Sequence, residues 1–473
     1  MHDKSPSKSG LGLGCLPPEI QGMICSILCV RRERDHSCQR DEMLSRKALL
    51  ALSQTSTTFR DIAQPLAYRM FDAVPNNYVK FVRTLVERPD LASHVKEIHE
   101  DTYEIGGWSD EDDFDFLKTV AVGLGMEDEQ DPEFNSAVED DLSPGQFSME
   151  ILLALVPNLE VLELCINAQG NYEETTFKHL QRRRNRVGPA AKLHHLRRLQ
   201  IQPDWQDHWG VWFSTPAVGV LLHMAPNLEH LAIVRNKGFD YEADADIPAI
   251  FPNPPLSLRT IQLRNCALSD EWSKPFVERL IGFAPRLEHF YYSAQVVYIG
   301  EMLGLHFSPQ EFVNCLRSRR KTLKTIDVDL EEHMVDSWAE LVTGDVLAEF
   351  ENLEVLKLDD HAFCRHYVNP NTNNRHIIAS RATCLTDLVT QSIKELGIKI
   401  HERSHVWPDL AELAASSAQY PNLERVVVRA VFRMRSTVTR DVFKEENQQH
   451  LKKLRQDFSK TSIRFYVLEE LNG

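Results

Sequence analysis

One segment of the sequence has the residue spacing of a catalytic zinc motif: His401-Glu402-Arg403-Ser404-His405. On a helix, the H-E-x-x-H spacing places both histidines on one face as zinc ligands, and the glutamate serves as a general base. The flanking residues disfavour a helix, because the segment follows a strand-like stretch at 393–400 and Pro408 restricts Trp407 towards extended backbone. We therefore predict a strand-to-loop transition, and a metal-dependent hydrolase that uses the two histidines and the glutamate is kept only as an alternative function.

A looser group of potential metal ligands lies near the N-terminus and consists of Cys25, Cys29, His36 and Cys38. Its spacing is only loosely that of a zinc site. Cys25 and Cys29 are four residues apart in a helical pattern, where a free cysteine behaves as a small apolar side chain. We therefore expect these cysteines to pack in a core, with structural zinc as the alternative.

Other catalytic signatures are missing from the sequence. It has no G-x-S-x-G string, no paired C-x-x-C motif and no Walker phosphate loop. We therefore expect neither a catalytic residue nor a cofactor, and we interpret the chain as a non-enzyme. An enzyme on another α/β fold remains a further alternative.

Composition and charge restrict the class of protein. Hydrophobic residues make up 42% and charged residues 26% of the 473 residues, as in ordinary globular proteins. The net charge of -16 argues against broad nucleic-acid binding. The nine cysteines are scattered, as free thiols are in a reducing compartment. The first residues lack a signal-peptide core, and no apolar run reaches the roughly 18 residues that span a bilayer. We therefore predict a cytoplasmic or nuclear protein without nucleic-acid or membrane partners.

The strongest internal pattern is an apolar-x-x-apolar-x-apolar string that occurs nine times. Its first positions are Leu159, Leu196, Leu228, Leu258, Leu287, Leu323, Leu353, Ile393 and Leu423, at steps of 29 to 40 residues. The last two apolar positions of each string are two residues apart, so they point to the same face of a short strand. Helical segments precede several strings, as at 146–156, 217–225, 274–283 and 309–319. A weaker tenth copy lies at Val95 and Ile98.

These strings resemble leucine-rich repeats, although they are longer than the common repeats of about 20–29 residues. The asparagine ladder of that family is mostly missing, since only Asn167 and Asn265 lie near the expected place. The resemblance implies an α/β solenoid with parallel strands on a concave face and helices outside, in which stacked neighbours bury each other's apolar faces. The alternative is a set of βαβ units in a doubly wound sheet, but no Gly-rich phosphate loop supports it.

Longer steps between strings indicate polar insertions. We predict surface loops at about 101–141, 170–192, 240–255 and 366–382. The first is rich in Asp and Glu. The second contains a run of arginines at 181–186, which we interpret as part of a solvated loop, with a nuclear-import or acidic-partner patch as the alternative.

The N-terminal region has a separate, helical pattern. Pro17 and Pro18 fit the start of a helix, where a missing N–H has no cost. One apolar face of this helix is predicted at Ile20, Ile24, Ile27 and Leu28. A second helical pattern at 45–71 carries Leu49, Leu52 and Phe59 on one face, and Pro65 is expected to end or restart that helix.

This region resembles an F-box of the type common in fungal proteins. The resemblance rests on Leu16-Pro17, Ile20, Leu49-Leu50-Ala51-Leu52, Thr55, Phe59-Arg60 and the stretch 62–69. It departs from the family in a longer charged link at 31–42 and in Phe59, which stands where a Trp is usual. The family docks onto a Skp-type adaptor and through it onto a cullin. The resemblance implies adaptor contacts at Leu16, Pro17, Ile20, Ile24, Leu28, Leu52 and Phe59. The alternative is a helical cap over the first repeat.

The sequence therefore predicts a disordered tail at 1–14, an F-box-like helical module at 15–72 and a repeat solenoid at 73–473. The resemblance implies a substrate-recognition adaptor of a cullin-RING (SCF-type) ubiquitin ligase, with an unidentified substrate protein as the second partner. An interaction scaffold without a ligase role is the alternative. From the strand register, we predict substrate contacts at Arg198, His230, Gln262, Arg264, Tyr291, Asp327, Asp329, Lys357, Asp359, Lys399 and Arg429.

Overall fold

The computed structural model describes residues 13–29, 39–73, 78–100, 111–126, 144–166, 177–188, 192–203, 211–240, 255–266, 270–294, 308–330, 341–363, 385–400, 406–433 and 437–472. Across these residues helices alternate with strands that pair in parallel, so the fold is α/β, as predicted. The chain divides into two compact units: Met1–Leu164 with Phe177–Leu196, and Cys165–Thr176 with Arg197–Gly473. The predicted boundary at 72/73 does not coincide with this division and stays a prediction.

The first unit contains mainly helices. They are α1 Pro18–Leu28, α2 Gln39–Ser53, α3 Thr57–Tyr68, α4 Tyr78–Glu87, α5 Pro89–Ala92, α6 Glu111–Gly123, α7 Pro144–Leu155 and α8 Lys178–Val187. Its strands are β1 Met70–Ala73, β2 Glu97–Glu100 and β3 Val161–Ile166, of which the last two residues fall outside this unit. β2 pairs in parallel with β1 and β3, and this register aligns Phe71, Ile98 and Leu162, which are all buried.

The second unit repeats helix and strand in alternation. Its strands are β4 Arg198–Pro203, β5 Val211–Ser214, β6 His230–Val234, β7 Asn236–Asp240, β8 Thr260–Cys266, β9 His289–Ala294, β10 Thr325–Asp329, β11 Val355–Asp359, β12 Glu395–Ile400, β13 Arg425–Arg433 and β14 Arg464–Asn472. Its helices are α9 Thr215–Met224, α10 Asp270–Gly282, α11 Pro309–Leu316, α12 Gly344–Leu347, α13 Leu385–Leu388, α14 Trp407–Ala415 and α15 Thr437–Phe458. β5 and β7 pair with each other, and the remaining strands of this unit follow one another in chain order.

The apolar strings coincide with the parallel strands. All nine lie on strands, β3, β4, β6 and β8 to β13, and the weaker tenth copy lies on β2. From β4 onward, their middle positions are aligned from strand to strand and buried, at Leu199, Leu231, Ile261, Phe290, Ile326, Leu356, Leu396 and Val426. The predicted register is therefore confirmed: the apolar positions of each strand face inward and the intervening positions face outward.

Four described strands lack a predicted string, and two of them show why. On β14, Phe465 pairs with Val426, so the first position of its string is Ser462, which is polar. On β1, the equivalent positions are Tyr68, Phe71 and Ala73. A pattern search for large aliphatic residues misses both strands, although each pairs in parallel with a neighbouring strand of its own unit.

Asparagines in the turns before the strands tie successive repeats together. Each donates from Nδ2 to a backbone carbonyl in the preceding repeat: Asn158 to Ser93 (2.9 Å), Asn352 to Lys321 (2.7 Å) and Asn422 to Gln391 (2.8 Å). Each asparagine lies one residue before the first apolar position, and each accepting residue lies two before the equivalent position. These bonds satisfy turn carbonyls that no helix or strand pairs. These bonds lie at a different position in the repeat from the asparagine ladder that the leucine-rich-repeat resemblance leads one to expect near Asn167 and Asn265.

Two of the predicted surface loops contain helices. α6 lies within 101–141, where Leu117 and Ala121 are buried one helical turn apart. α8 lies within 170–192 and includes the arginine run, and its backbone is held where the Leu180 N–H donates to Glu150 Oε2 at 2.9 Å. The loop prediction is therefore wrong for these residues, because dense charge concealed a few buried positions at helical spacing. Most of the loops predicted at 240–255 and 366–382, and residues 1–12, lie outside the described residues.

The described helices include none that is long and apolar enough to cross a membrane.

Gly344 provides a test of the packing between helices in the second unit. A Cβ atom at this position would overlap the backbone carbonyl oxygen of Asp387, which cannot rotate away as a side chain can. We expect Gly344→Ala to lower the free energy of unfolding by about 1–3 kcal/mol in urea denaturation. Gly282→Ala is the matched control, since nothing lies within 4 Å of that position. Equal stability of the two variants would contradict this packing.

Candidate functional site

The N-terminal helices form a small three-helix module with its own core. α1, α2 and α3 surround the buried side chains of Cys25, Leu49, Phe59, Ala63 and Ala67. Leu28, Leu52 and Ile62 pack against that cluster and are partly buried. Cys25 is completely buried, so it is a core residue, and this burial raises the pKa of its thiol. His36 and Cys38, the other members of the looser cysteine group, lie outside the described residues.

The second helical pattern of the sequence is two helices in the structure. Ser56 begins α3, and its hydroxyl accepts a hydrogen bond from the Phe59 N–H at 3.1 Å, which caps the helix. Pro65 does not end this helix, which continues to Tyr68. Proline removes only the N–H that would bind the Asp61 carbonyl, and Asp61 is exposed, so water can satisfy that carbonyl. The prediction of a break at Pro65 is therefore wrong.

Large apolar side chains outside this core are exposed. They form what we call the N-terminal apolar surface: Leu13 (54% exposed), Ile20 (41%), Met23 (60%), Ile27 (67%) and Leu44 (55%). On α1, the buried residues Gln21 and Cys25 lie on the opposite side from Ile20, Met23 and Ile27, which are spaced at i, i+3 and i+7. Exposed large apolar side chains on one small module are a candidate surface for binding another molecule.

Some of the predicted adaptor contacts lie on the surface of the module, and others lie in its core. Pro17 and Ile20 are exposed, and Leu16, Ile24, Leu28 and Leu52 are partly buried. Phe59 is completely buried, so its role is corrected: it stabilises the module and has no surface to offer a partner. Met23, Ile27 and Leu44 are exposed apolar residues that the predicted set of contacts did not include. The i, i+3, i+7 spacing of Ile20, Met23 and Ile27 was the available signal.

The predicted substrate contacts lie in rows on the outward face of the second unit's strands. One row begins Arg198, His230, Thr260, His289, Thr325, and a second contains Gln262, Tyr291, Asp327 and Lys357. A third aligns Asp359, Lys399 and Arg429, and Arg264 and Asp329 lie at the equivalent height on β8 and β10. The structure therefore aligns the predicted residues in rows along these strands. Asp359 is completely buried, so its role is corrected: it has no surface to offer a partner. A binding role for them remains a prediction.

Ion pairs link this face across strands. Lys399 Nζ lies 2.5 Å from Asp329 Oδ2, and this pair joins β12 to β10. Lys357 Nζ lies 3.5 Å from Glu395 Oε1, and Arg425 also contacts the Glu395 carboxylate. Lys357 packs over Gly397, where a Cβ atom would come within 2.7 Å of its Cγ. These contacts hold long side chains in place, so the face presents a fixed pattern of charge.

Burial shifts several pKa values on this face. Burial raises the pKa of Asp327, although the cations Lys357 and Arg429 oppose the shift. Burial also raises the pKa of Tyr291, and the neighbouring Asp327 adds to the shift. Burial lowers the pKa values of His230 and His289, so both imidazoles are neutral at pH 7. His289 Nδ1 lies 3.0 Å from Thr325 Oγ1, as in a neutral hydrogen-bonded pair.

A buried histidine with carboxylate neighbours lies in the first unit. Register aligns Asp72, His99 and Glu163 on three adjacent strands. His99 Nδ1 lies 3.0 Å from Glu163 Oε2, and its Nε2 lies 3.6 Å from Glu97 Oε2. Among the described residues, no group of three or more His, Cys, Asp or Glu side chains could hold a metal ion. The H-E-x-x-H segment at 401–405 lies outside the described residues.

Comparison with known proteins finds no family model that matches the sequence and no curated protein that matches it significantly.

Phe59 and Ile27 provide a test of which apolar residues form the module core. Removing a completely buried Phe side chain costs about 3–5 kcal/mol, whereas truncating an exposed side chain costs within about 0.5 kcal/mol. We expect Phe59→Ala to accelerate hydrogen exchange of the α1 to α3 amides, and Ile27→Ala to leave it unchanged. Equal protection in the two variants would show that the assignment of core and surface is wrong.

The pH dependence of stability in an Asp327 variant tests the charge pattern of this face. The raised pKa of Asp327 means that the folded state binds the proton more tightly than the unfolded state, so this group lowers stability as the pH rises through its folded pKa. We expect Asp327→Asn to be more stable than the parent at pH 7, with the difference disappearing below the ordinary Asp pKa of about 3.9. Urea denaturation across pH measures this, with the exposed Asp61→Asn as control. A gain confined to acidic pH would contradict the assignment.

Proposed function

We propose that the chain is a substrate-recognition adaptor of a cullin-RING (SCF-type) ubiquitin ligase. In this proposal the module at 15–72 is an F-box that binds a Skp-type adaptor, and the repeats are leucine-rich repeats whose outward strand face binds a target protein. The chain supplies two binding surfaces, and the catalytic steps of ubiquitin transfer belong to other subunits.

The N-terminal apolar surface carries the proposal. The three-helix module already buries a core of its own, so its exposed side chains at Ile20, Met23 and Ile27 are not needed for that core. Burying a Leu, Ile or Met side chain contributes roughly 1.5–3 kcal/mol, so a few such anchors in a partner's groove supply most of the affinity of an interface. The position of this surface on α1, directly after Leu16-Pro17, agrees with the resemblance to an F-box.

The repeats support the second half of the proposal. Their buried apolar positions are aligned along the strands, and asparagines in two of the turns bond to the preceding repeat. The outward rows mix acidic, basic, aromatic and amide side chains over many strands. Such a face suits recognition of an extended protein surface, where each side chain contributes a small part of the specificity.

Binding of a purified Skp-type adaptor tests the proposal. We expect the full-length chain to bind it, and Ile20→Lys/Ile27→Lys to weaken the complex by a factor of roughly 100, because two buried anchors are replaced by charges. Isothermal titration calorimetry measures the affinity, and circular dichroism shows whether the variant folds. Val187→Lys is the control, since Val187 is 40% exposed on α8, away from the surface.

Two outcomes would contradict the proposal. One is failure of the folded parent chain to bind the adaptor, and the other is equal affinity of the parent and the double variant. Co-purification of a cullin with the parent chain separates a ligase subunit from an interaction scaffold that has no ligase role.

A further inference from the structure

The last three strands, β12 to β14, present a basic outward face. The register aligns their outward residues in three rows: Glu395, Arg425 and Arg464; Gly397, Val427 and Tyr466; and Lys399, Arg429 and Leu468. We call this set of nine residues the cationic patch. Four of its members are basic and one is acidic, in a chain whose net charge is -16.

The three arginines are the exposed basic members of the patch, whereas the Lys399 side chain is only 13% exposed and pairs with Asp329. Arg425 and Arg464 have side chains that are 52% and 66% exposed, whereas the Glu395 carboxylate beside Arg425 is only 9% exposed. Arg464 lies 3.8 Å from Glu424, a long contact between two exposed side chains. An exposed ion pair such as Arg464–Glu424 contributes little in water, so Arg464 can exchange partners at small cost. Arg425 stays paired with the nearly buried Glu395, and the exposed part of its guanidinium can pair with a second acidic group.

An apolar row lies between the basic rows. Tyr466 is 45% exposed and Leu468 is 48% exposed, and Val427 is partly exposed beside Tyr466. Gly397 continues this row on β12 without a side chain, and Lys357 packs over it. Exposed aromatic and aliphatic side chains flanked by arginines are typical of a protein-binding surface.

The spacing of outward side chains along β13 defines which ligand fits the cationic patch. Arg425, Val427 and Arg429 are alternate residues of β13, so the two guanidinium groups rise from backbone positions about 13 Å apart, with an apolar side chain midway. An extended peptide has the same repeat. Its residues i, i+2 and i+4 point to one face over the same distance.

We propose that the cationic patch binds an extended acidic peptide segment with the pattern acid-x-apolar-x-acid. The two acidic groups pair with Arg425 and Arg429, and the central apolar side chain packs on Val427 and Tyr466. Arg464 adds a further contact on β14 for the first acidic group. This inference rests on the proposed function and names the class of target segment that the repeats recognise.

The chemistry favours a peptide over a nucleic acid. A nucleic-acid site needs a long track of basic side chains, and the strong net negative charge of this chain opposes polyanions beyond a short contact. The acidic groups of the peptide can be carboxylates or phosphates, since a guanidinium pairs with either. The experiment distinguishes these two sources.

Fluorescence anisotropy with labelled peptides tests the inference on the full-length chain. The probe is fluorescein-labelled Ser-Glu-Ser-Leu-Ser-Glu-Ser, with a phosphoserine version in place of both Glu residues. The pattern control, Ser-Glu-Glu-Leu-Ser-Ser-Ser, has the same composition and the wrong spacing. We expect the probe to bind more tightly than the control. Comparison of the Glu and phosphoserine versions shows whether the patch prefers carboxylates or phosphates, since the preferred version binds more tightly.

Variants of the patch locate the binding site. We expect Arg425→Gln/Arg429→Gln to weaken the probe roughly fivefold, since each exposed ion pair contributes about 0.2–1 kcal/mol. Tyr466→Ala provides a second, uncharged variant and should also weaken the probe. Lys452→Gln/Lys453→Gln is the control, because it removes the same charge from exposed positions on α15.

The inference is overturned if the probe and the pattern control bind equally, if the folded patch variants bind the probe as the parent does, or if a labelled twelve-nucleotide polyadenylate binds more tightly than the probe. Adaptor binding through the N-terminal apolar surface is measured separately with the same variants. Intact adaptor binding with no peptide binding would reject this inference and leave the proposed function standing.

Discussion

Stacking of buried apolar side chains between neighbouring parallel strands is the interaction on which the repeats depend. A strand such as β10 has only two or three inward residues, and Ile326 and Val328 bury completely only because β9 and β11 place equivalent residues beside them. No single repeat can remove its apolar face from water alone. The register is strict for the same reason, since a shift of one residue would turn Ile326 outward and Asp327 inward.

Strict register has a consequence for the outward face. Because the inward positions are occupied by apolar residues, the intervening positions are under little constraint from the core and can carry charge, aromatic rings or amides. The backbone nevertheless holds them at fixed spacing, and ion pairs such as Lys399–Asp329 restrict the side chains further. The position of each outward side chain is therefore determined by the core, whereas its chemical character varies from strand to strand. A face of this kind can recognise a target without a deep pocket.

The sequence predicted the strands well and the surfaces less well, for physical reasons. Period-two spacing of aliphatic residues reports burial directly, so the strings at Leu323 and Leu353 identified β10 and β11. The same reasoning failed for α6, where charged residues outnumber the buried ones, and for β14, where Ser462 interrupts the string. It also misplaced Phe59, because an apolar residue on a helix face can serve a core or a partner, and periodicity alone does not distinguish them.

The two proposed surfaces attract their partners through different forces. The five large side chains of the N-terminal apolar surface are all uncharged, so its affinity depends on the area removed from water and changes little with salt. The cationic patch depends on exposed guanidinium groups, whose attraction is screened over about 8 Å at physiological ionic strength. Under the proposed function, attachment to a Skp-type adaptor would therefore persist at a salt concentration that releases an acidic target segment.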